Sequence, residues 1–98
     1  MNKNKTMITE SDKEIIQQYA KKYNVSSIIL FGSSLEKNKK ANDIDLGVKG
    51  IEPRLFFKFY GELFKHLLKP AHLIDLSKKL LFNDIVEETG VQIYGRSA

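Results

Sequence analysis

The chain has 98 residues, of which 42 % are hydrophobic and 29 % charged, enough for one packed domain and too apolar for wholesale disorder. It contains no cysteine, which excludes thiol nucleophiles, disulfides and thiolate zinc sites, and its longest apolar runs, such as Ile28 to Phe31, are far too short to span a membrane. The formal net charge of +4 comes from sixteen basic residues against twelve acidic ones, yet only Arg54 and Arg96 are arginines. Base reading and forked phosphate recognition favour arginine. Specific nucleic-acid binding is therefore not expected, and a small anion such as a nucleoside triphosphate suits this charge equally well. The polar stretch Met1 to Glu10 has no apolar signal region, so a cytoplasmic location is expected.

Taken in chain order, residues 1–8 read as a flexible leader. Ser11-Asp12-Lys13-Glu14 forms a capping-box pattern, with Thr9-Glu10-Ser11-Asp12 as a competing start. Apolar positions at Ile15, Ile16, Tyr19, Ala20 and Tyr23 then mark one face of an amphipathic helix that Asn24 can stop. Val25 to Phe31 is β-branched and apolar, a buried strand broken by Gly32-Ser33-Ser34, after which a short helical turn is expected. A polar, lysine-rich loop from Glu36 to Asn42 leads into Asp43 to Val48, a strand with its acids on one face and Ile44 and Leu46 on the other.

Gly50 ends that strand, and Pro53 opens the longest helix, predicted to run to about Lys69. Its apolar stripe is Leu55, Phe56, Phe59, Tyr60, Leu63, Phe64, Leu67 and Leu68, with Phe57 outside it. Ala71 to Leu76 reads as a third strand. Asn83 or Asp84 is the expected cap of a last short helix closed by Gly90 as its C′ residue, and Val91 to Tyr94 adds a final strand. The order implies one α/β (α+β) domain over residues 1–98, a small mixed sheet packed with helices, without internal repeat or linker.

Chemistry concentrates in Phe31-Gly32-Ser33 and, after nine intervening residues, Asp43-Ile44-Asp45-Leu46. A Gly-Ser at a strand's end presents backbone N–H groups and a hydroxyl to an anion, and Gly32 lets a phosphate approach the main chain. Asp43 and Asp45, two apart on a strand, project from one face and can share a divalent cation in the oxygen-rich shell that Mg²⁺ prefers. Either element alone is common. Together, at the ends of neighbouring apolar strands, they describe a site for a metal-bound triphosphate.

This run resembles the signature of the minimal nucleotidyltransferases of the DNA polymerase β-like superfamily, Gly-Ser followed after a loop by Asp-x-Asp, and the likeness extends from Ser11 to Tyr94. The resemblance implies a nucleotidyltransferase fold, ATP with Mg²⁺ as reactants, and transfer of AMP to a hydroxyl. It also implies a protein partner, a HEPN-domain toxin to which this chain would be the antitoxin, with AMP placed on a tyrosine of that toxin. By the same likeness Asp43 and Asp45 are catalytic and metal-binding, while Gly32 and Ser33 bind phosphate.

Three departures accompany the resemblance. Ser34-Leu35-Glu36 stands where relatives often carry an arginine, so Lys37, with Lys39 and Lys40, is left to supply positive charge as single points rather than a fork. The spacer is one residue short of the family pattern. The family's third carboxylate lies on the strand after the long helix, and alignment on Ala71-His72-Leu73-Ile74-Asp75-Leu76 puts His72 in its place. Strand parity sets His72 and Asp75 on opposite faces, so Asp75 becomes the third acid only if the register slips by one residue. An imidazole there lowers the expected activity in Mg²⁺, favours Mn²⁺, and leaves a side chain that could act as a base. Two alternatives stand beside the transferase. One is a catalytically degenerate module that neutralises its partner by binding alone, with Phe57, Tyr60 and Tyr94 as docking aromatics. The other is a nucleic-acid binder using the lysine excess.

Overall fold

The computed structural model describes residues 8–32 and 43–95. Helix α1 spans Glu10–Lys22, followed by strands β1 (Ser27–Phe31) and β2 (Ile44–Lys49), a 3-10 turn at Pro53–Leu55, helix α2 (Phe56–His66), strand β3 (Ala71–Asp75), helix α3 (Leu81–Thr89) and strand β4 (Val91–Gly95). The sheet order is β3-β2-β1-β4, with β2 and β3 parallel and the other pairs antiparallel. The parallel pair needs a crossover, and α2 supplies it. The fold is the expected α+β arrangement, and among the described residues no helix is long and apolar enough to cross a membrane.

Thr9 is the N-cap of α1, its Oγ1 accepting the Asp12 N–H at 3.0 Å, so the earlier of the two capping patterns is used. The carboxylate of Asp12 is buried and accepts the Leu68 N–H at 3.2 Å. That long-range bond explains why α2 stops at His66 rather than Lys69. The Leu68 amide bonds outside the helix, and Lys69, preceding Pro70, is disfavoured from helical geometry. Asn24 ends α1 with φ of 57°, a left-handed conformation that asparagine tolerates.

Alternation divides the sheet into two faces. Ile28 and Leu30 of β1, Ile44, Leu46 and Val48 of β2, and Ala71 and Leu73 of β3 join Ile16, Ala20, Phe59 and Leu63 from α1 and α2 in the main core. Ile8, assigned to the leader by the sequence reading, also packs there; residues 1–7 lie outside the described residues. On the opposite face Ile29, Leu76 and Val86 form a smaller cluster beneath α3. Gly47 makes that cluster possible, because a Cβ there would meet Leu76 Cδ1 at 2.6 Å.

Several side chains depart from the sequence reading. Phe64 and Leu68 are exposed, since α2 buries only the narrow stripe through Phe59 and Leu63. Tyr60 and Tyr94 are half-buried against the main core rather than exposed. Neither Asn83 nor Asp84 caps α3, which begins at Leu81. Buried Asn83 instead donates to the carbonyls of Lys78 at 2.9 Å and Asp75 at 3.3 Å, closing the turn before the helix. Gly90 has φ of −80° and is not a left-handed cap; glycine fits because a Cβ would meet the Leu30 and Val86 carbonyls at 2.8 Å.

Candidate functional site

The site grows from the strand ends on the thinly covered face. Antiparallel pairing sets Phe31 of β1 opposite Asp45 of β2, and parallel pairing sets His72 of β3 beside Asp45 on the other side. Partners in register share a face, so Asp45 and His72 project together, and Asp43, two residues before Asp45, lies on the same side. The result is one cluster: His72 Nδ1 is 3.4 Å from Asp45 Oδ1, and His72 Nε2 is 3.6 Å from Asp43 Oδ2. The imidazole thus spans the two carboxylates. It is 62 % exposed, with Asp43 at 40 % and Asp45 at 21 %, so all three groups remain within reach of a ligand from solvent.

Gly32 completes the described part of the site. Its φ of 71° is left-handed, and a Cβ there would run into the Asp45 carboxylate. Only glycine lets the end of β1 come this close to the acid. Ser33, Lys37, Lys39 and Lys40 lie outside the described residues.

Asp75 is not part of this cluster. It pairs with Val48 at the far end of β3, and its Oδ1 accepts the Ser77 N–H at 2.9 Å. His66, a surface residue of α2, stacks on Tyr19 with ring centroids 5.2 Å apart and hydrogen-bonds the Glu62 carbonyl through Nδ1 at 2.9 Å. Two surface hollows, one edged by Lys78, Asp84 and Glu88 and the other by Asn24, Gln92 and Tyr94, share Lys49 and Glu87 in their linings. Lys49 is six residues along from Asp43, ~20 Å at the rise of an extended strand, so neither hollow belongs to the acidic cluster. Lys49 instead pairs with Glu87 at 2.7 Å and ties α3 to the end of β2.

Sequence reasoning set Gly32 and the acids at neighbouring strand ends but did not foresee that Gly32 packs directly against the Asp45 carboxylate. The signal was available in part: a glycine at the end of one strand and an acid entering the next can become neighbours when those strands pair.

The family model described as "Polymerase beta, Nucleotidyltransferase" matches residues 13–98, and the chain belongs to that family. Solved structures share the fold. A toxin–antitoxin MntA–HepT structure is 20 % identical with a TM-score of 0.68, the match covering 90 % of this chain and 74 % of that one. A toxin–antitoxin structure with AMP-PNP is 23 % identical with a TM-score of 0.69, covering 90 % and 75 %. A third, the tri-AMPylated Shewanella oneidensis HEPN toxin in complex with MNT antitoxin, is 22 % identical with a TM-score of 0.66, covering 87 % and 71 %. No curated protein sequence matches the chain.

Proposed function

We propose that this chain is the antitoxin partner of a HEPN-type toxin and that it transfers AMP from ATP to a hydroxyl of that toxin. The observation that carries the reading is the meeting of Asp43, Asp45, His72 and Gly32 at neighbouring strand ends. Membership of the nucleotidyltransferase family supports the reaction type. The fold shared with toxin–antitoxin complexes, one with AMP-PNP and one with a tri-AMPylated HEPN toxin, supports the partner and the nucleotide.

The donor set fits Mg²⁺. That ion is usually bound through one or two carboxylates, with phosphate oxygens and water completing its shell. Among the described residues no group of three His, Cys, Asp or Glu is arranged to hold a metal ion alone. Bound at Asp43 and Asp45, the ion would supply charge neutralisation for the triphosphate and polarisation of the reacting oxygens.

The chain's own groups have separate tasks. The Gly32 main chain, with the Ser33 hydroxyl, receives the phosphates, and Lys37 adds positive charge. Asp43 and Asp45 would hold the ion that orients the triphosphate, and the acceptor oxygen attacks the α-phosphorus in line. The new O–P bond forms as the bond to the β-phosphate oxygen breaks, and pyrophosphate leaves. His72 rather than Asp75 fills the third position.

Incubation of the chain with its HEPN-type partner and ATP labelled on the α-phosphate tests this. Label should appear on the partner, and Asp43→Asn or Asp45→Asn should lower the rate by about a hundredfold or more, as loss of a transition-state charge partner does elsewhere. A second reading follows from His72, which brings no permanent negative charge to a position that is acidic in the family. In that reading the chain neutralises the toxin by binding alone. It is the correct one if the toxin is neutralised equally well by wild type and by Asp43→Asn, with no label transferred.

A further inference from the structure

The outward face of α2 is apolar without serving the core. Phe57 and Phe64 are 79 % and 65 % exposed, and with Gly61 they occupy positions i, i+4 and i+7 on one side of the helix, opposite buried Phe59 and Leu63. Leu68, just past the helix end, extends the strip and is 77 % exposed. None of these side chains belongs to either buried cluster.

Gly61 is the informative member. A glycine inside a helix is disfavoured, and it is normally retained for a left-handed φ or a close internal contact. Gly61 has neither: its φ is not positive, and a Cβ added there would meet nothing within 4 Å. Nothing in the described chain accounts for it. A notch of this kind between two exposed phenylalanines lets a second helix cross closely, its ridge entering between the rings.

The charges beside the strip choose between occupants. Exposed Lys58 and Lys65 border the same side, three residues before Gly61 and four after it. In a symmetric antiparallel pairing of two copies across Gly61, Lys58 of each would oppose Lys65 of the other, a like-charge contact. An amphipathic helix of another protein with acidic residues on its flank would satisfy both lysines.

We infer that the Phe57–Gly61–Phe64 face of α2, extended by Leu68, is the docking surface for a helix of the HEPN-type partner, apolar along one side and acidic beside it. This assignment rests on the partner proposed above. The face is carried by the crossover helix, which packs on the side of the sheet opposite the one from which Asp45 and His72 project.

The test uses the full chain and the HEPN-domain protein encoded beside it. Free-chain melting, complex affinity and toxin neutralisation are compared for wild type, Gly61→Gln and Phe57→Ser/Phe64→Ser. Gly61→Gln should raise the melting temperature of the free chain by about 4 °C, from the gain in helix propensity, and yet weaken the complex at least tenfold. The phenylalanine pair should weaken it by about thirtyfold or more, as for central interface aromatics, with little change in melting. If wild type binds and both variants bind equally well, the surface assignment is wrong while the partner proposal stands. If wild type fails to bind, or no such gene exists, both fall. Self-association of the wild type, abolished by Phe57→Ser/Phe64→Ser, would overturn the assignment in favour of a second copy.

Discussion

The two faces of the sheet divide the work of the molecule. Among the described residues, α1 and α2 close over a core of seventeen buried apolar residues on one face; on the other, the buried apolar cluster is Ile29, Leu76 and Val86 at α3, and Asp43, Asp45 and His72 stay open to solvent. A single strand serves both. Ile44, Leu46 and Val48 of β2 face the main core, while Asp45 and Gly47 face the other way. A slip of one residue would bury a carboxylate among hydrocarbons and expose three aliphatic side chains, so the core fixes the register on which the site depends.

The largest effect should come from breaking the core face. Phe59, fully buried in α2 and 5.5 Å from the Tyr23 ring, is the largest of the fully buried side chains. Phe59→Ala should cost about 3–5 kcal/mol, read as a lower urea midpoint, and should lower every activity only through the unfolded fraction.

A change at Gly32 tests whether the opposite face can be altered with the core intact. Gly32→Ala forces a Cβ into the left-handed region and against the Asp45 carboxylate. A stability loss of about 1–2 kcal/mol is expected from the backbone alone, with AMP transfer falling further than melting predicts. Transfer that merely follows stability would show that Gly32 and Asp45 do not act on one ligand.

The His72 and Asp75 pair sharpens the comparison within β3 itself. His72→Asp should raise transfer in Mg²⁺ by about tenfold, equivalent to about 1.4 kcal/mol of barrier, and should narrow the advantage of Mn²⁺. Asp75→Asn should leave transfer unchanged, its carboxylate serving the turn at Ser77. Loss of transfer in Asp75→Asn, with none in His72→Asp, would assign the third position to Asp75. Loss in His72→Asp alone would make His72 the working base.

The smallest effect belongs to the surface pair that bridges α1 and α2. The Lys22 ammonium, hydrogen-bonded to Glu62 at 3.2 Å, holds the Glu62 carboxyl below its ordinary value, against a smaller opposing effect of desolvation. A lowered carboxyl contributes stability above its unfolded value and loses it as pH falls through the folded one. Glu62→Gln should therefore melt slightly lower than wild type at neutral pH, and the difference should vanish in acid. Exposure of the pair keeps the effect small.

Much of this division could be read from local pattern. Alternation in Asp43-Ile44-Asp45-Leu46 puts acids and aliphatics on opposite faces whatever the strand pairs with, and the continuous apolar run of β1 marks a strand covered on both sides. Gly32 was legible as a break because a strand ends there, and Asn24 because asparagine tolerates the conformation that ends a helix.

Other features rest on residues far apart in sequence. The end of α2 was set by Asp12, 56 positions before Leu68, whose carboxylate took the amide the helix would have used. Asn83, read as a cap from its neighbours, was instead drawn into the turn by carbonyls of the preceding segment. Phe64 was assigned to the core by its spacing, but packing covered only the side of α2 that meets the sheet and left the other bare. The contact of His72 with both carboxylates follows from the parallel register of β2 and β3, strands joined through a whole helix. By itself the sequence determined which residues share a strand face, because that follows from the geometry of a single chain. Which strands and helices then become neighbours was decided only by tertiary packing, because hydrophobic burial depends on the shape of the whole fold.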